Sequence, residues 1–538
     1  MPEEQIISSS LIRLLQKFQI AADQQLEEKN LPKIQVSDTI SKIALVYEKI
    51  RNTIDYKEAH LLRKNATERI LKRRLMTTNE PQAIAKPLIL ELIRAGYLKN
   101  NEINENYIKK VEEIINKFVL LKIYLPQLYK NKELNDFNNW LIKITAVEIE
   151  ETIVSTEKED ALIELIYENI NKNINFLDPS LNEEEKAILL YLAIHKAINK
   201  SDEAILIYHL FRYFLPVLPT EKNEFTEEEI IKTIAGFREL KNKINYYLNH
   251  PLKNNLLKII KKIVVPYIIL KDFIEEHAVG AYQKLLQTTY LEEFIKNDCK
   301  KRYKEAHVRL HRGAVRSIIY LFITKMALLL ILEMPLDYYI ENQVNYFSLG
   351  INVLFPPFLM FLIGLMIRVP SKKNTQKILE EVIKIVYSQK PQMAIIRIKK
   401  PVRYGSFLDI TFKILYFILF LLSFSLIIYI LNKLDFNILS GFIFILFLCL
   451  ISFFGTTLRQ TAKEYLVLTP RDSFVTLVLD LISLPILAMG KFISKKLSKI
   501  NFFIFIFDFI IEAPFKTIIE VIEEWLSFIR EKKEEIAT

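Results

Sequence analysis

The sequence predicts an all-α protein: a cytoplasmic helical domain, then a four-span transmembrane helix bundle, then carboxyl-terminal interfacial amphipathic helices. Two observations carry that prediction. Mean hydropathy of +0.16 coexists with 51% hydrophobic and 25% charged residues over 538 positions, a combination that no single solvent accommodates, so the two characters must be segregated along the chain. Up to about residue 313 the apolar residues fall in short periodic groups broken by Lys and Glu; after it they run on for roughly twenty positions at a time. Helix-start signals also recur in the first half, where strand signals are nearly absent. The expected domains are therefore 1–300, cytoplasmic and helical; 301–458, transmembrane; and 459–538, an interfacial helical hairpin with a charged tail.

The first half is read as helices from their ends. "NEEEKAILLYLAIHKAI" from Asn182, "SDEAILIYHLFRYF" from Ser201 and "TEEEIIKTIAGF" from Thr226 each put a side-chain oxygen ahead of acidic residues and an apolar periodic run. The oxygen satisfies free amide groups, and the acids complement the helix dipole. "PQAIAKPLILELIRAGYL" ends near Gly96, a natural left-handed stop. "HLLRKNATERILKRRL", His60 to Leu75, is the most basic stretch of this half. It invites a nucleic-acid reading through phosphate contacts. Helical phase favours another: Leu61, Leu62, Ala66, Ile70 and Leu75 form a buried stripe, and Arg63, Lys64, Arg69 and Lys72 to Arg74 a solvated face. A pI near 9.0 does not revive nucleic acid, because membrane proteins carry basic cytoplasmic loops.

Common chemistries are disfavoured. The 10 Gly residues are scattered, with no phosphate-binding or dinucleotide-binding glycine loop. Cys299 and Cys449 suggest neither a disulfide framework nor a metal pair. His307 and His311 stand one turn apart in "HVRLH", but Arg309, Arg312 and Arg316 crowd them, which repels a divalent cation. No cofactor and no metal is expected. The start, "MPEEQIISSSLIRLLQKFQ", is acidic and lacks signal-peptide features, so the first half is expected in the cytoplasm.

Four segments reach the length of a bilayer core, about 314–334, 347–367, 406–431 and 437–458. The connection "IENQVNYF" has no Lys or Arg, whereas "KKRYKEAHVRLHRGAVR", "RVPSKKNTQK", "IRIKKPVR" and Arg459 with Lys463 are basic. Basic flanks stay inside, which puts both ends of the bundle on the cytoplasmic side. Residues 474–493 are long enough for a fifth span, but crossing would carry "SKKLSK" outward. Thr476, Asp480, Ser483, Lys491, Ser494 and Ser498 also share one narrow face, so this segment is expected in the inner interface. "NFFIFIFDFIIEAPF", 501–515, with Asp508 and Glu512 at the edge of its polar stripe, reads as the deeper arm of a second interfacial helix, jointed at Pro514 and continuing past Trp525. Together the two would form a hairpin on the inner leaflet, facing anionic lipid.

The run "FDFIIEAPFKTIIEVIEEWLSFIREKKEE", with "LVLDLISLPILAMGKFIS" before it, resembles the end of uncharacterised bacterial multi-pass membrane proteins over about the last 80 residues. The resemblance implies a bacterial inner-membrane setting. It brings no activity and no catalytic residue.

Charge inside a span is the sharpest functional signal. Lys325 lies near the middle of the first span, about ten residues from either end, too deep for its stem to snorkel out. Glu333, two turns on, is expected to be too far for a direct pair. Pro356 and Pro357 in the second span deprive the carbonyls of Asn352 and Val353 of their helical donors. Lys325 is therefore expected to hydrogen-bond that opened backbone or the Asn352 side chain, clamping two spans. Asp409 and Lys413, one turn apart, are expected to anchor the inner end of the third span. Three functions compete: a membrane-anchored scaffold with an unknown protein partner; a transporter or channel component using Lys325; and a lipid-head-group enzyme using Asp480, Asp508 or Glu512, which lacks a recognisable nucleophile.

Overall fold

A computed structural model describes residues 7–37, 45, 48, 58–216, 226–277, 280–335, 339, 346–366, 370, 372–388, 396–398, 406–462, 466–467, 474–499 and, further on, 518, 521, 522, 525, 528, 529, 532, 533 and 535. The chain divides into two compact units. One comprises Met1–Leu286, Ile385–Lys400 and Phe503–Thr538; the other comprises Gln287–Lys384 and Pro401–Phe502. The division falls before 300 because Thr288–Leu328 is one unbroken helix, whose polar beginning goes with its apolar end.

The first unit is built from helices α1 (Ser9–Glu27), α2 (Ala59–Thr77), α3 (Pro81–Arg94), α4 (Asn106–Leu128), α5 (Asn131–Ile153), α6 (Glu157–Asn171), α7 (Glu183–Ile198), α8 (Glu203–Phe214), α9 (Glu227–Ala235), α10 (Phe237–Leu248), α11 (Lys253–Ile263), α12 (Val265–Glu276) and α13 (Ala281–Leu285). Their starts and stops follow local chemistry. Asn182 and Glu185 close a reciprocal capping box on α7, and Thr226 and Glu229 close another on α9. Gly96, at φ +73°, ends α3: its amide bonds the Ile93 carbonyl, and the Tyr97 amide bonds Leu92, the paired pattern of a left-handed stop. On α8 the cap is Asp202, which accepts from the Ile205 amide at 3.2 Å. Ser201, one residue earlier, turns inward instead. Trp140 packs edge-on against Phe211 at 5.3 Å and lies 5.9 Å from Phe237, so large apolar side chains of α5, α8 and α10 share one core.

The basic helix α2 differs from its expected solvated face. Arg63 pairs with Glu150, Lys64 with Asp202, Arg69 with Glu48, and Arg73 and Arg74 with Glu91. Lys64 is almost wholly buried, and Leu71 rather than Leu62 joins the apolar stripe. Neighbouring helices supply carboxylates at that face, so the charges knit the unit rather than project into solvent.

Strands appear where none was expected. β1 (Ile174–Phe176) pairs in parallel with β2 (Ile396–Ile398), register Ile174 to Ile396. Three residues are too few to show alternation. Nearby, the Ser8 amide and hydroxyl donate to the carbonyls of Val386 and Ile385. Residues 385–386 and 396–398, which follow the second apolar helix in sequence, are thereby joined to the first unit.

The second unit contains α14 (Thr288–Leu328) with a π-helical turn at Leu329–Glu333, α15 (Tyr346–Met366), most of α16 (Lys372–Tyr387), α17 (Ser406–Lys433), α18 (Ile438–Ala462) and α19 (Phe474–Lys499). Among the described residues four stretches are long and apolar enough to cross a bilayer: Thr288–Ile331, Tyr346–Leu365, Phe407–Lys433 and Ile438–Arg459. Ala314, Met360, Ile443, Phe447 and Ile451 form a core shared by α14, α15 and α18. α17 stands more apart, and apolar side chains such as Phe407, Leu415 and Leu422 are exposed along its length.

α19 is the segment expected in the inner interface, and its apolar face is covered by two of the apolar helices. It packs along α18 and also against α17. Gly490 seats against the carbonyl of Cys449 at the middle of α18, and the Ser423 hydroxyl, well inside α17, donates to the Ile482 carbonyl at 3.2 Å. The apolar face of α19 finds partners in protein that the face pattern alone could not specify.

Candidate functional site

The site in the second unit grows from an irregularity in one helix. In an ideal α-helix, position 333 lies about 80° round and about 12 Å along from position 325. The π turn at Leu329–Glu333 puts more residues into one turn, which swings Glu333 onto the face of Lys325 and shortens the separation. Lys325 Nζ donates to Glu333 Oε1 at 2.9 Å, with both side chains fully buried. This corrects the expectation that Glu333 is out of reach. That reading assumed uniform helical geometry.

Glu333 then occupies the place expected for Asn352. Its second oxygen, Oε2, accepts from Asn352 Nδ2 of α15 at 2.6 Å and from Ser440 Oγ of α18 at 3.2 Å. Asn352 Nδ2 also approaches the Ser440 carbonyl at 3.4 Å. Asn437, just ahead of α18, caps it by accepting from the Ser440 amide at 2.7 Å, which fixes the hydroxyl's position. Phe447 lies under the ammonium, 5.0 Å from ring centroid to Nζ. Among the described residues Lys325 makes no hydrogen bond to Asn352 or to the carbonyls that Pro356 and Pro357 deprive of donors; both prolines are buried within α15. One carboxylate ties three helices together, and the cluster's positive and negative charges cancel. Asn352 Oδ1 is buried and has no partner among the described residues. The carboxylate's demand for a donor fixes that amide's orientation.

The remaining expected residues do not join this cluster. Asp480 lies on α19, its side chain outside the described residues, and Asp508, Glu512 and Pro514 lie outside them altogether. Trp525 is helical and exposed. Asp409 and Lys413 pair at 2.7 Å on the exposed surface of α17. His307 and His311 are exposed, their rings parallel and 6.5 Å apart.

Sequence reasoning passed over a second cluster, in the first unit. His195 Nδ1 lies 2.7 Å from Ser201 Oγ, and its ring centroid lies 4.2 Å from that of His209. His209 faces Glu151 through Nε2 at 3.0 Å and the Tyr191 hydroxyl through Nδ1 at 3.3 Å. With the Glu151 carboxylate accepting from Nε2–H, Nδ1 is left to accept from the Tyr191 hydroxyl. Burial holds the His195 imidazole well below the usual histidine range, and His209 and His60 push the same way. The available signal was histidine set singly in apolar runs, as in "LAIHKAI" and "IYHLF". Ser201 and His195 are both almost wholly buried, so the arrangement serves packing rather than attack on a substrate.

A pH dependence follows, with a definite sign. As pH falls through about 6.5, the unfolded chain protonates at His195 while the folded chain stays neutral there, so stability is lost below that pH. The urea midpoint of the first unit should fall between pH 7 and pH 5, and His195→Gln should flatten that slope. An equally steep slope in the variant would remove His195 from the account.

No protein-family model, curated protein or solved structure matches this chain.

Proposed function

We propose that the chain is a membrane-anchored interaction protein, in which a cytoplasmic helical domain with its own core engages a protein partner while apolar helices hold it in the inner membrane of a bacterium. The sealed cluster carries this reading. Lys325 and Glu333 answer each other with no exposed surface, as a structural clamp requires, whereas a solute pathway needs its charges to meet water. Purified protein in liposomes should show no proton or cation flux above protein-free vesicles, and crosslinking in cells should recover a defined partner of the first unit. Anionic lipid at the inner leaflet complements the basic flanks.

A second reading, a transporter or channel component, draws on Asn352 Oδ1, without a partner among the described residues, and on the π turn, since such turns often mark working sites. A flux that Lys325→Met abolishes would put that reading first.

Both termini of the four-span bundle are assigned to the cytoplasm on the charge pattern, with α19 embedded beside α17 and α18. Cys299 and Cys449 are buried, so introduced cysteines report with little background. A thiol at position 345 should react with an impermeant reagent from outside. One at Lys496, exposed near the end of α19, should react only after the membrane is opened. External reaction at 496 would make α19 a fifth span.

A further inference from the structure

α14 runs unbroken from a polar beginning into an apolar end, and its character changes at the level where its neighbours stop. Ala314 is its first residue in the core shared with α15 and α18. Gly364, two residues before the end of α15, faces Ala314, and Gly313 faces Leu458, which adjoins the end of the apolar stretch Ile438–Arg459. Three apolar helices therefore end together. A bilayer crossed by them has its headgroups at this level, in a zone of roughly 5–7 Å beyond the hydrocarbon.

Exposed guanidinium groups gather there. Arg309 and Arg312 lie just short of Ala314, Arg316 lies two residues past it, and Arg459 follows Leu458 on α18; all four are exposed. At 100° per residue, Arg309, Arg312 and Arg316 fall within about 60° of one another, on a stripe turned away from buried Leu310 and Ala314. Among the described residues Arg309 and Arg312 make no ion pair or hydrogen bond. The nearest carboxylate along the stripe, Glu305, stands one turn further from the bundle. Arg302 is already answered by Asp298 at 2.7 Å. Lys300, Lys301 and Lys304 start about 15–21 Å below Ala314, more than a Debye length of ~8 Å, so they act in solvent rather than at this level. The crowding that repels a divalent cation from His307 and His311 favours an anion. On the bundle side the stripe continues into exposed Val315, Ile319 and Tyr320. An anion carried on hydrocarbon meets both characters.

We propose, on the reading of these helices as membrane spans, that Arg309, Arg312 and Arg316 form a binding site for the phosphate of an anionic phospholipid, whose acyl chains lie along Val315, Ile319 and Tyr320. Planar guanidinium forks match phosphate oxygens two at a time, and Arg459 adds positive charge at the same level. A zwitterionic lipid offers the same phosphate but brings its own cation, which these arginines repel. The site fixes the depth at which α14 leaves the bilayer.

The test places the full chain in nanodiscs of phosphatidylcholine alone or mixed with phosphatidylglycerol, and follows phenylglyoxal modification of each arginine by mass spectrometry. Phosphatidylglycerol should slow modification of Arg309 and Arg312 by about five-fold or more, and exposed Arg238 of the first unit should change little. The protection should persist in about 0.5 M salt, which screens diffuse attraction to a charged surface but not bidentate contact. Inorganic phosphate added to phosphatidylcholine discs should protect neither residue. Arg309→Gln combined with Arg312→Gln should lower the phosphatidylglycerol retained after detergent extraction, read by native mass spectrometry, by about five-fold; the lipid comparison in the unaltered protein stands whether or not that variant folds. Equal modification in the two kinds of disc, protection lost in salt, equal protection by free phosphate, or unchanged lipid retention in the folded variant overturns the proposal. A chain that enters phosphatidylcholine discs but labels alike in both overturns the site alone, whereas one that enters neither overturns the membrane reading and the site with it.

Discussion

Lys325→Met alone should lower the unfolding free energy of the detergent-solubilised protein by about 3–5 kcal/mol, because it leaves the Glu333 carboxylate buried and without its counter-charge. Glu333→Gln alone should cost a comparable amount by stranding the ammonium. The informative variant is the double one. With Met at 325 and Gln at 333 the two charges disappear together, while the Gln amide oxygen can still accept from Asn352 and Ser440, so most of the loss should be regained. The expected signature is thus a strongly non-additive cycle in denaturation midpoints. If each single variant stayed within about 0.5 kcal/mol of the parent, the size of an ordinary surface substitution, the cluster would not be what joins these helices.

The second large effect is steric. At Gly490 an added Cβ would lie 2.0 Å from the Cys449 carbonyl oxygen and 2.8 Å from Phe453 Cβ. The obstructing oxygen belongs to the backbone of a regular helix and cannot swing aside as a side-chain tip could. Gly490→Ala should therefore force α18 and α19 apart and cost about 1–3 kcal/mol or more, seen as a lower denaturation midpoint and faster proteolysis around 474–499. Gly350 supplies the contrast: it lies within α15, and an added Cβ there meets nothing within 4 Å. Gly350→Ala should be neutral or stabilise by about 0.5–1 kcal/mol through helix propensity. Equal tolerance at both sites would show that α19 does not pack tightly on α18.

What the sequence determined by itself is local. Hydropathy located the four apolar helices, since twenty consecutive apolar residues leave few alternatives. Capping chemistry located the starts of α7 and α9, and Gly96 the end of α3, because those signals act within four residues of where they are read. Lys325 was legible as a member of a buried site from the cost of placing a charge in hydrocarbon, and Asn352 from the prolines that leave nearby carbonyls without donors. Glu333 was not, although two opposite charges in one apolar helix argue for each other, because a π turn is a slip in hydrogen bonding that residue spacing does not record. Tertiary structure alone decided where faces and charges end up. Ser201 and Asp202 are both good caps, and the imidazole of His195 drew one of them inward. The basic face of α2 is solvated or paired according to whether Glu48, Glu91, Glu150 and Asp202 arrive from distant positions, and they do. A polar stripe on α19 says that one side avoids hydrocarbon, but only the glycine contact at Cys449 says which helix covers the other, since an apolar face gains nearly the same free energy from lipid as from protein and packing geometry breaks the tie.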